Sequence, residues 1–143
     1  MRYDRGMSPL SRRTADFTVL VYSDDPDTRQ KLVMAIGRRP APDVGTVDYL
    51  ECSTIDEAVA AVDAGKVDLL LLDGDAQPTG GMGISRQLKN EIENCPPTCV
   101  VVARNVDRWL AAWSLADATL SHPLDPIGAA GTVAELLRGR VPA

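Results

Sequence analysis

A chain of 143 residues with 45% apolar and 24% charged side chains has the composition of one globular domain, too short for two and too apolar for wholesale disorder. Fifteen Lys and Arg stand against 20 Asp and Glu, for a net charge of −5, which disfavours the clustered basic face that a nucleic-acid binder needs. No run approaches the ~20 apolar residues of a membrane-spanning helix, so the composition predicts a cytoplasmic protein that neither binds nucleic acid nor inserts into a membrane.

Residues 1–16, MRYDRGMSPLSRRTAD, carry Arg2, Arg5, Arg12 and Arg13 but lack the apolar stretch of a secretory signal. They read as a flexible arm. FTVLVY at 17–22 is β-branched and aromatic and reads as a buried strand; SDDPD follows, with Asp25 placed to cap a helix and Pro26 at its first position. Leu32, Val33 and Ile36 give that helix its apolar stripe, and GRRPAPDVG ends it. TVDYLEC predicts a second strand. TIDEAVAAVDAG predicts a helix, opened by Thr54 and Glu57 in capping-box spacing and stopped at Gly65.

VDLLLL is continuously apolar, as a central parallel strand covered on both faces requires, and ends at Asp73. TGGMG reads as a flexible turn, since it lacks the spacing and lysine of a phosphate-binding loop. A helix over ISRQLKNEIE follows, with Ile84, Leu88 and Ile92 on one face, and then TCVVVA as a fourth strand. DRWLAAWSLA predicts another helix and ATLS a fifth strand. DPIGAAGTVAELLRGR predicts a last helix, with Asp125 as cap and Pro126 at its start. Five strands alternating with five helices predict an α/β fold: a three-layer, doubly wound, five-stranded parallel sheet with flavodoxin-like strand order 2-1-3-4-5. Residues 17–139 form the single expected domain and 140–143 a tail. Cys52, Cys95 and Cys99 are odd in number and lack zinc-site spacing, so they read as reduced, partly buried thiols.

In such sheets the functional crevice lies beyond the carboxyl ends of the strands. That rule gathers Ser23, Asp24 and Asp25 after the first strand, Asp73 and Asp75 after the third, Ala103 and Arg104 after the fourth, and His122 after the fifth. Carboxylates crowded at one mouth repel one another, and a hard divalent cation such as Mg²⁺ relieves this by taking oxygen ligands. An aspartate beside such an ion can also accept a phosphoryl group.

On these residues the chain resembles the receiver domains of two-component response regulators, from Phe17 to Arg138. VLVYSDDPDTRQKL is similar to the family's first strand, acidic pocket and first helix; VDLLLLD to its phosphoacceptor strand, with Asp68 five residues ahead of Asp73; and ADATLSHPLDP to its fifth-strand segment. The resemblance implies Asp73 as phosphoacceptor and Asp24 and Asp73 as Mg²⁺ ligands, with Asp75 and Ser23 as further candidates. It also exposes departures. The family's two adjacent acids fall on Ser23 and Asp24; its hydroxyl-bearing switch residue falls on Ala103; its lysine falls on His122, before Pro123; and its aromatic switch position falls on Thr119. The scaffold is complete and the phosphorylation chemistry eroded. Trp109 and Trp113 lie on the helix that belongs to the family's output surface, which makes them candidate partner contacts.

The expected function is therefore that of a stand-alone atypical receiver, not an enzyme. It acts in signal transduction through protein contact, with a histidine kinase among its candidate partners, Mg²⁺ bound weakly, and weak or absent phosphorylation at Asp73. Monomer and homodimer both remain open. Two other readings stand beside it. LLLLDGDAQPT resembles the first motif of haloacid-dehalogenase-type phosphatases, which would make Asp73 and Asp75 catalytic, although no lysine follows Lys89. A phosphorylation-independent scaffold would carry the acids as relics, and then Asp73→Ala should raise stability by relieving repulsion.

Overall fold

The computed structural model describes residues 15–77, 80–103, 112–140 and 142. Its elements in chain order are β1 Phe17–Tyr22, α1 Pro26–Ile36, β2 Val47–Cys52, α2 Ile55–Asp63, β3 Leu69–Asp73, α3 Gly81–Glu91, β4 Thr98–Val102, β5 Ala118–Ser121 and α4 Pro126–Leu137. The five strands form one parallel sheet in the order β2-β1-β3-β4-β5. The described residues contain four helices rather than the five expected. The missing one was expected on DRWLAAWSLA, the first half of which, Trp109 included, lies outside the described residues, as do Arg104 and the arm up to residue 14.

Alternation along the strands builds the three layers. Val19, Val21, Leu69, Leu71, Cys99 and Val101 face one side, where Leu32 and Ile36 of α1 and Val133 and Leu137 of α4 cover them. Leu20, Tyr22, Leu70 and Leu72 face the other, under Ala58 and Val62 of α2 and Ile84 and Leu88 of α3. This is why LLLL runs without a polar break: every residue of β3 is buried.

The helix starts follow from local chemistry. Asp25 accepts from the Asp27 amide at 3.0 Å and the Thr28 hydroxyl at 2.9 Å. Thr54 and Glu57 form a complete capping box, and Asp125 accepts from the Gly128 amide at 3.2 Å. Helix α3 departs from the expectation. It begins at Gly81, so Gly81, Met82 and Gly83 of the expected turn form its first turn. Packing overrides propensity here: a Cβ on Gly81 would lie 2.7 Å from the backbone of Leu72 and Asp73, so only glycine lets α3 start this close to β3.

Candidate functional site at the carboxyl end of the sheet

Register brings the site together. Tyr22 pairs with Leu72 across β1 and β3, so the next residues on each strand, Ser23 and Asp73, emerge side by side at the rim. Ser23 is fully buried and Asp73 only 6% exposed. The Ser23 hydroxyl donates to Asp73 Oδ2 at 2.7 Å, and the Asp75 amide donates to Asp73 Oδ1 at 2.9 Å. Both carboxylate oxygens thus hold a hydrogen bond from the protein. Across the mouth, the Gln77 amide donates to Asp24 Oδ1 at 3.1 Å, which ties the loop after β3 to the loop after β1.

The local field is negative. The Tyr22 phenol is pushed above its ordinary value, chiefly by burial and further by the charges of Asp24 and Asp73. Asp25 lies beside these acids, but its carboxylate is used as the α1 cap, where the Thr28 hydroxyl and then the Asp27 amide hold it below its ordinary pKa. Asp75 is exposed, and what it contributes to Asp73 is its backbone N–H.

As a cation site this donor set is short by one acid. Asp24 and Asp73 offer hard carboxylate oxygens, but the third position offers the neutral Ser23 hydroxyl. Among the described residues no group of three His, Cys, Asp or Glu side chains is arranged to hold a metal ion.

Three further positions expected to matter follow or lie on β4 and β5, and β4 is the strand beside β3. Ala103 is exposed and brings no hydroxyl, and Thr119 is exposed on β5. The half-buried His122 donates its backbone amide to Val102 O at 2.9 Å and precedes a cis bond to Pro123. Among the described residues no hydrogen bond or ion pair joins His122 to Asp73. The histidine instead borders a groove of about 1080 Å³ between α1 and the start of α4, with Thr28, Lys31, Met34 and Leu124. Trp113 is 42% exposed. The Arg86 guanidinium lies 5.0 Å from its ring centroid and donates to its carbonyl at 2.6 Å, a cation–π arrangement.

Two participants were not singled out from the sequence. Arg29 donates to Ser23 O at 2.7 Å and pairs with Glu51 at 2.9 Å, so it fixes the backbone that carries the serine. Gln77 acts through its amide, which no side-chain pattern reports. Asp68, five residues ahead of Asp73, is fully buried at the opposite end of β3 and accepts from the Thr18 amide at 2.8 Å; it is an anchor between strands.

No protein-family model matches the chain. It is 48% identical over 120 residues, 84% of its length and 90% of theirs, to proteins of two Mycobacterium tuberculosis strains described as uncharacterized response regulatory proteins. Among solved structures it resembles a two-component response regulator from Clostridium difficile, at 22% identity and a TM-score of 0.70 over 86% of this chain and 97% of that one. It also resembles the beryllofluoride-activated N-terminal receiver domain of Klebsiella pneumoniae RstA, at 20% identity and a TM-score of 0.70 over 85% and 98%. At these identities the solved structures speak for the fold.

Proposed function

Because the chain belongs to the response-regulator family and has its receiver fold, we propose that it is an atypical receiver acting in two-component signalling through protein contact, with weak or absent phosphorylation at Asp73. The observation that carries this is the state of Asp73. It stands where a phosphoacceptor belongs, at the buried end of β3, yet a serine hydroxyl sits on one of its oxygens where an acid belongs. The Ala103 side chain has no hydroxyl to offer a phosphoryl oxygen, and an imidazole at His122 stands where a lysine ammonium belongs. Asp24 and Asp73 then hold Mg²⁺ weakly.

Residues 17–139 are the working unit, and a cytoplasmic location fits a described structure with no helix long and apolar enough to cross a membrane. The partner surface includes Trp113, whose exposed indole is the kind of anchor around which protein interfaces concentrate their energy. A histidine kinase and a second copy of the chain are both partners of the right class. The phosphatase reading gains nothing from the geometry, since Asp75 meets Asp73 through its backbone rather than its carboxylate.

Intact-mass analysis after incubation with acetyl phosphate and Mg²⁺ tests the proposal. Little or no phosphoryl adduct is expected. Rapid, near-complete labelling that disappears in Asp73→Asn would overturn it.

A further inference from the structure

The hydroxyl of Ser23 has one proton to donate and two lone pairs with which to accept. Its proton goes to Asp73 Oδ2 at 2.7 Å, within the range of charge-assisted O–H···O⁻ bonds. On the acceptor side it takes the Asp25 amide at 3.1 Å. The backbone of Ser23 is held as well: its amide donates to Cys52 O at 3.1 Å and its carbonyl accepts from Arg29 at 2.7 Å. The side chain is fully buried. This hydroxyl is therefore aimed at Asp73 from several directions before any ligand arrives.

We propose that Ser23 is a lock on the phosphoacceptor: its hydroxyl proton holds Asp73 Oδ2, one of the two carboxylate oxygens a divalent cation could take, so serine and cation compete at that atom. The inference deepens the reading of Asp73 as a poor phosphoacceptor and rests on it. Loss of an acid at this position lowers cation affinity by removing a charge. The hydrogen bond lowers it again, because a cation approaching Oδ2 meets the positive end of an O–H dipole. To serve as a ligand instead, the serine has only the lone pair left over by the Asp25 amide, and a neutral oxygen brings no charge to the ion. Ser23 is thus a positioning residue that holds Asp73 in a cation-independent state, and the hydrogen bonds at Asp73 and Asp24 do the bridging between the β1 and β3 loops that an ion would otherwise do.

Titration with MgCl₂ alone, followed by amide NMR shifts at residues 23–25 and 73–77, separates lock from ligand without any phosphodonor. Ser23→Ala removes the hydroxyl and should bind Mg²⁺ about tenfold more tightly than the wild type, the factor that corresponds to one hydrogen bond to a charged group. Ser23→Thr keeps the hydroxyl and should titrate like the wild type. If Ser23→Ala fails to fold, Ser23→Cys offers similar size with only a weak donor and should also tighten binding. Weaker binding in these hydroxyl-free variants would make Ser23 a ligand and overturn the proposal; unchanged binding would overturn it too. Phosphorylation of the wild type is read separately. Poor labelling with unchanged Mg²⁺ affinity in Ser23→Ala would remove only the lock, whereas efficient labelling would remove the functional reading beneath it.

Discussion

The Asp75 amide donates to Asp73 Oδ1 at 2.9 Å, so two acids that repulsion would drive apart are joined by a hydrogen bond through the backbone. Together with the Ser23 hydroxyl on Oδ2, this favours the opposite sign from the relic reading of Asp73. Asp73→Ala would relieve some charge crowding, but it would strip the buried Ser23 hydroxyl of its acceptor. An unsatisfied buried donor costs about 1–3 kcal/mol. Urea denaturation should show a loss of that order for Asp73→Ala, with a smaller loss for Asp73→Asn, which keeps an acceptor. A gain in stability would mean that repulsion dominates the pocket.

The glycines at the start of α3 give a paired test. A Cβ at Gly81 would fall 2.7 Å from the Leu72 and Asp73 backbone, whereas one at Gly83 meets nothing within 4 Å. Both lie in the helix. Gly83→Ala should stabilise by about 0.5–1 kcal/mol through reduced chain entropy. Gly81→Ala should destabilise by about 1–3 kcal/mol, because α3 must lift off β3. Thermal unfolding distinguishes them, and equal shifts would show that the close approach of α3 to β3 does not matter.

Three surface carboxyls contribute to the acid limb of stability. The Thr28 hydroxyl and Asp27 amide hold Asp25 low, the Arg138 guanidinium holds Asp43 low, and the Ser53 amide followed by its hydroxyl and the Thr54 amide hold Glu57 low. A carboxyl whose folded pKa is depressed binds fewer protons folded than unfolded, so its contribution is complete above the unfolded value, about 4, and is lost as pH falls through the folded one. The urea midpoint should therefore stay flat from about pH 7 to 5 and drop below about 4. Asp25→Asn, which keeps the cap without an ionisable group, should make that drop shallower.

The cysteines should be slow to react in the folded protein. Burial pushes the Cys52 thiol up to about 11 and the Cys99 thiol up to about 12, and raises Cys95 as well. At about pH 8 a thiol with a pKa near 11 is thiolate about one part in a thousand. Labelling with a thiol-reactive dye should be slow in native buffer and reach three equivalents in denaturant. Fast native labelling of one site would show that its surroundings open readily.

Strands were legible because buried parallel strands cannot hide: LLLL is apolar without a break, FTVLVY and TCVVV add only a threonine to apolar residues, and each lies in the sheet where expected. The caps at Asp25, Thr54 and Asp125 were legible because N-capping is a chemistry of a few neighbouring residues. The start of α3 was not, since what admits Gly81 to a helix is the backbone of β3, far away in sequence. At the site, the placement of Ser23, Asp24 and Asp73 at one mouth could be counted from strand ends. Directions could not: that Asp75 turns its backbone to Asp73, that Gln77 reaches Asp24, and that Arg29 pins Ser23 all depend on how two loops meet. The indoles were candidate partner contacts from their place in the chain, but the Arg86 guanidinium against Trp113 comes from α3 and leaves no local signature.

The most direct test of the central claim is an amide NMR titration of the labelled protein with millimolar Mg²⁺ and then beryllofluoride, a mimic of the aspartyl phosphate. An atypical receiver with a poor phosphoacceptor predicts no saturating shifts near Asp24, Asp73 and His122. Saturating shifts that begin there and spread to Trp113 would contradict it, and would show a pocket that binds and signals despite its serine, alanine and histidine.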